Sequence, residues 1–112
     1  MIISKGNAPH YVWGGDCDGW RLADTAGLSV IHERMPAGRA ETRHHHAQAR
    51  QLFYVLAGEL TMERDSATDV ARAGEAIEIA PGERHRAVNA SAADVEFLVI
   101  SAPTTRGDRV EG

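Results

Sequence analysis

The chain has 112 residues, a formal net charge of -4 and 25% charged residues, a size that suits one domain with a core of its own. The acidic balance and the scattered arginines at 39, 43, 50, 84 and 86 exclude an electrostatic nucleic-acid surface, and no stretch approaches the ~20 apolar residues of a membrane helix. A lone cysteine, Cys17, excludes an internal disulfide, and with no apolar segment after Met1 the expected location is a reducing cytoplasm.

The first informative segment is residues 10–20, which hold both tryptophans, one tyrosine and the sole thiol. It is expected either to shape a pocket at a barrel mouth or, the reading favoured, to pack at a dimer interface, where aromatics are enriched. Asp16 and Asp18 flank Cys17 and should raise its thiol pKa, which argues against an activated nucleophile.

From there the chain reads as a string of short strands. No window keeps a 3.6-residue period, and glycine or proline interrupts at regular intervals, as in an all-β sandwich or barrel. Strands are predicted at 28–35, ending at Pro36 and Gly38, then at 41–46, 51–57 and 59–64, the last two separated by Gly58. The polar run 65–68 suits a turn. Strands follow at 70–73, 76–80, 83–89 and 95–102, with a loop of small residues at 90–93. The tail 103–112 is expected to cross the surface or reach a partner subunit. Phe53, Val55, Phe97 and Val99 are core candidates, and Tyr54, out of phase with Gln51 and Phe53, should face away. Asn89-Ala90-Ser91 matches a glycosylation acceptor and Arg106-Gly107-Asp108 an adhesion tripeptide; both are discounted as chance matches.

The chemistry concentrates in the histidines. His44 and His46 are two apart, so in a strand both imidazoles project from one face, while His45 points the other way. Burying unpartnered imidazole costs about 1–3 kcal/mol, and a bound divalent metal removes that cost. His32, in the strand before, is expected either to point into the barrel or to be a satisfied structural residue.

Written with its glycines, the region runs Gly38, His44, His46, Gln51, Gly58, and then Gly74, Pro81-Gly82, His85, Asn89. This pattern closely resembles the two signature motifs of the cupin superfamily, the first at 38–58 and the second at 74–89. Two departures stand out: Gln51 occupies the usual glutamate position, and Ala80 occupies the usual proline position, with Pro81 one place later. The resemblance implies a single cupin domain over 1–112, an all-β jelly roll (double-stranded β-helix barrel), with His44, His46, Gln51 and His85 as ligands to one divalent transition metal, Fe, Zn, Mn or Ni. Gln51 is expected either to ligate or to support a ligand by hydrogen bonding. With the carboxylate gone, the metal keeps its full +2 charge, which favours an anionic small-molecule ligand and removes one metal-bound general base.

Three functions fit these residues. The favoured one is a metal-dependent small-molecule enzyme of the dioxygenase type, using iron. The others are a metal-dependent isomerase, cyclase or lyase, and a non-catalytic module that binds a sugar or other metabolite. A homodimer is expected, with no nucleic-acid or membrane partner.

Overall fold

The computed structural model describes residues 1–112 and contains strands and no helix. In chain order the strands are β1 (His10–Trp13), β2 (Cys17–Asp24), β3 (Ser29–Met35), β4 (His44–His46), β5 (Arg50–Ala57), β6 (Glu59–Arg64), β7 (Thr68–Arg72), β8 (Ala76–Ile79), β9 (His85–Val88), β10 (Val95–Ala102) and β11 (Arg109–Glu111). They form a six-stranded sheet, ordered β1-β2-β3-β10-β5-β8, and a five-stranded sheet, ordered β11-β4-β9-β6-β7. Every pairing is antiparallel. This is the all-β architecture expected from the spacing of strands and turns, in the jelly-roll form that the cupin resemblance implies.

The packing follows the alternation of the sequence. On β5, Gln51, Phe53 and Val55 are buried, and they face Ser101, Val99 and Phe97 of β10 in register. Leu60 and Met62 of β6 come in from the other sheet, with Ala87 of β9 opposite Met62. These apolar side chains belong to one core cluster between the sheets. Tyr54 faces out at 37% exposure, as its phase requires. The β5–β6 corner needs Gly58: its φ is +83°, and a Cβ there would sit 2.5 Å from the Asp94 carbonyl oxygen.

Three strands escaped the sequence reading. The segment 10–20 folds as a hairpin, β1–β2, on the edge of the larger sheet, where Gly19 pairs with Tyr11, and Tyr11 lines a cavity, in line with the pocket-shaping alternative. The tail, expected to cross the surface or reach a partner subunit, ends in an exposed strand: residues 109–111 form β11, which pairs Arg109 with His46 and Glu111 with His44. The strand predicted at 41–46 shortens to β4, with Ala40 making only an isolated bridge to Val88.

Candidate metal centre

Neighbouring strands bring the histidines together. His44 and His46 leave β4 on its inner face, and His44 is the register partner of His85 on β9. Cross-strand partners of this kind place their side chains in contact. The ring centroids of His44 lie 5.0 Å from His46 and 4.5 Å from His85. One ligand atom from each of the three lies within 4.8 Å of the others, close enough for one ion to draw them together by small side-chain rotations. All three rings are buried, His85 completely. Gln51 enters from β5 of the opposing sheet and lines the same cavity as His44 and His46. His45 points the other way, half-buried opposite Val110, as its phase predicts.

The hydrogen bonds fix what each ring can offer. His44 Nδ1 donates to the Thr42 carbonyl at 2.7 Å, and His85 Nδ1 donates to the Glu83 carbonyl at 2.9 Å. A carbonyl only accepts, so both rings carry their proton on Nδ1 and leave the Nε2 lone pair free, the arrangement that orients a metal-ligating histidine. Burial pushes the pKa of His44 down to about 4 and lowers those of His46 and His85, so all three are neutral at pH 7.

Of the buried side-chain polar atoms that lack a partner, His85 Nε2, His46 Nδ1 and Gln51 Oε1 belong to this cluster. Gln51 Nε2 donates to Ser101 Oγ at 3.1 Å, which turns the amide so that its oxygen is the unspent atom. Buried acceptors without donors are rare in folded proteins, and a cation satisfies them together. The residues present therefore fit a divalent metal.

The cavity, about 220 Å³, is also lined by Tyr11 of the aromatic segment and by Arg21, Glu33, Glu41, Arg106 and Arg109, none of these five expected at the site from the sequence. Glu33 comes from β3, whose inward residues are Ile31, Glu33 and Met35. Tyr11 Oη donates to Glu33 Oε2 at 3.3 Å. Burial, with the nearby Glu41 charge, pushes Glu33 up to about 8, and burial pushes Glu41 up to about 7. The Tyr11 hydroxyl is also raised, first by burial and then by Glu33. Glu41 Oε1 accepts the Ala87 N–H at 2.9 Å, which ties it to β9.

His32 takes the second of its two expected roles, a satisfied structural residue: it lies on the outer face, its Nε2 2.7 Å from Glu96 Oε1 and its ring edge-on to Trp20. The thiol of Cys17 is raised to about 11, but chiefly by burial, with Asp16 second. Asp108 of the adhesion-like tripeptide is engaged within the fold: its carboxylate accepts the backbone N–H groups of Ala47, Gln48 and Ala49, pinning the turn between β4 and β5.

Two antiparallel sheets rolled into a double-stranded β-helix, with a histidine cluster inside, define the class. Residues 31–101 match the cupin domain family, and the chain belongs to it. No curated protein matches the chain. Among solved structures, an uncharacterized conserved protein with a double-stranded β-helix domain from Klebsiella pneumoniae superposes with a TM-score of 0.82 at 19% identity, covering 99% of this chain and 96% of that one. A cupin sugar phosphate isomerase from Silicibacter pomeroyi gives 0.79 at 20% identity, covering 93% and 76%. The polyketide cyclase RemF from Streptomyces resistomycificus gives 0.80 at 19% identity, covering 93% and 80%. At these identities the likeness is one of fold.

Proposed function

We propose that the chain is a metal-dependent enzyme that moves a proton on a small molecule, with one divalent metal held by His44, His46, His85 and the Gln51 amide oxygen. The observation that carries this reading is that two imidazoles of the histidine cluster, His44 and His46, line one cavity with a carboxyl group, Glu33, whose pKa of about 8 lies near neutrality. When bound, the metal supplies a Lewis acid whose +2 charge no carboxylate among its proposed ligands offsets. Glu33 can both give and take a proton at neutral pH, the condition for an efficient general acid–base group. Tyr11 holds one of its oxygens, leaving the other to face a substrate. Proton transfer of this type serves isomerases, cyclases and lyases. The isomerase and cyclase structures that share the fold support the reading as analogies only.

A second reading, an iron-dependent dioxygenase, draws support from the three-histidine donor set, which suits iron as well as zinc or nickel. The non-catalytic module remains the alternative if no turnover exists. Metal analysis with two assays separates them. Zinc, manganese or nickel, together with solvent deuterium entering carbon acids such as keto sugars, is the expected result. Iron with oxygen uptake on thiols, diketones or catechols gives the second reading. Ligand binding that survives removal of the metal, with neither activity, gives the binding module.

The chain is further proposed to act as a cytoplasmic homodimer. No helix is long and apolar enough to cross a membrane. Tyr54 and Leu56 leave apolar surface on the outer face of the larger sheet that a second copy would cover. Light scattering is expected to give twice the chain mass, and a monomer at micromolar concentration contradicts this.

A further inference from the structure

Of the chain's twelve lysines and arginines, Arg21 alone has no carboxylate oxygen within 4.0 Å. It is also one of the residues lining the cavity of the histidine cluster. Its guanidinium carbon lies 4.6 Å from the centroid of the Tyr11 ring, on the face of that ring. Stacking holds the head group in place without spending its five N–H donors. The other two cavity arginines are engaged, Arg106 with Asp24 at 2.6 Å and Arg109 with Glu111 at 3.4 Å.

The local structure aims Arg21. Gly19, opposite Tyr11 in the hairpin, leaves the space that the Tyr11 ring fills; a Cβ at position 19 would lie 2.3 Å from Tyr11 Cζ. A β-bulge follows Arg21 directly, since Arg21 pairs with Ile31 but Ala23 pairs with Val30. Bulges re-aim side chains and recur beside functional sites. Glu33, a carboxyl group of the same cavity wall, is engaged by Tyr11 rather than by Arg21, and its raised pKa leaves it largely uncharged at pH 7. A free, oriented guanidinium in a half-enclosed cavity matches the bidentate geometry of an oxyanion.

We infer that Arg21, stacked on Tyr11, is the anchor for an oxyanion group, carboxylate or phosphate, on the substrate. Arg21 stands on the six-stranded sheet and the histidines on the five-stranded sheet, so the substrate spans the cavity from one wall to the other. Its class is then a small molecule with an oxyanion at one end and a metal-binding oxygen at the other. This rests on the metal-enzyme reading for the second end only; the anion site belongs to the chain itself.

The test is an NMR titration of chelator-treated protein with malonate and, separately, inorganic phosphate, following the Arg21 Nε–H and the Gly19 and Tyr11 amides. Saturable shifts are expected with at least one probe, the tighter of the two marking the group as planar carboxylate or tetrahedral phosphate. Arg21→Gln should weaken that binding about tenfold or more, Arg21→Lys less, and the exposed Arg72→Gln not at all. Unchanged affinity in Arg21→Gln, or no saturable shift with either probe, overturns the inference. Metal content measured on the untreated samples keeps the two readings apart. Metal present without anion binding sinks this inference alone, and anion binding without metal sinks the metal reading alone.

Discussion

Gln51 and Ser101 face each other across the β5–β10 pair, and the Gln51 amide nitrogen donates to the serine hydroxyl at 3.1 Å. The bond decides which end of the amide is left over. Its oxygen, buried and without a partner, is the atom left to serve the cavity that Gln51 shares with His44 and His46. Substituting Gln51→Ala should weaken metal affinity about tenfold to a hundredfold, and Ser101→Ala should weaken it less, by freeing the amide to rotate. Competition against a chelator of known affinity measures both. Equal affinity in Gln51→Ala and the parent would place the amide outside the metal's ligand set.

Glu33 makes stability depend on pH in a definite direction. The folded chain binds its proton more tightly than the unfolded one, with the pKa moving from 4.5 to about 8. The stability it contributes is therefore full below about 4.5 and is lost as pH rises through about 8. Glu33→Gln imitates the protonated form. In chelator, at pH 9, the variant should exceed the parent by on the order of 1–3 kcal/mol, with little difference near pH 4.5. Glu41 carries a shift of the same sign, to about 7, so some pH dependence should remain in the variant. Thermal melts across that range measure the difference.

Gly19→Ala should spare the sheet and move Tyr11. The added carbon meets the outer end of the tyrosine, Cζ at 2.3 Å and Oη at 2.6 Å, which can swing aside where backbone could not. A stability cost of about 1 kcal/mol is expected. The Tyr11 hydroxyl, released from burial and from Glu33, should then titrate nearer its ordinary value. With only two tyrosines in the chain, ultraviolet titration resolves the change.

Asn89, the last residue of the second motif, is wholly buried and tethers the chain on both sides of the 90–94 loop. Its amide nitrogen donates to the Met35 and Ala93 carbonyls at 2.9 and 2.7 Å, and its oxygen accepts from the Ser91 N–H at 3.0 Å. Asn89→Ala leaves those groups without partners and should cost about 2–4 kcal/mol in denaturant unfolding, with the metal donors untouched.

The fold was legible because the core strands alternate. In β5 and β10 the phase of Phe53, Val55, Phe97 and Val99 is unbroken, and Gln51 inherits its inward direction from them. His44 and His46 were legible for the same reason. The hairpin β1–β2 was not, because its inner face looks onto a polar cavity: Tyr11, Gly19 and Arg21 lie where an apolar stripe would have announced a strand. β11, three exposed residues long, has no pattern of its own and exists through its pairing with β4. Glu33 could have been found. Met35 ends its strand in the core, and counting back by two reaches Glu33 and Ile31, which leaves His32 on the outside.

The central claim is that the buried imidazoles of His44, His46 and His85 hold a metal, and elemental analysis of tag-free protein purified without chelators tests it most directly. About one Fe, Zn, Mn or Ni per chain in the parent, lost in a folded His85→Ala variant, is the predicted result. A parent chain that stays metal-free after loading with each of these ions, or a His85→Ala variant that retains the full complement, contradicts it.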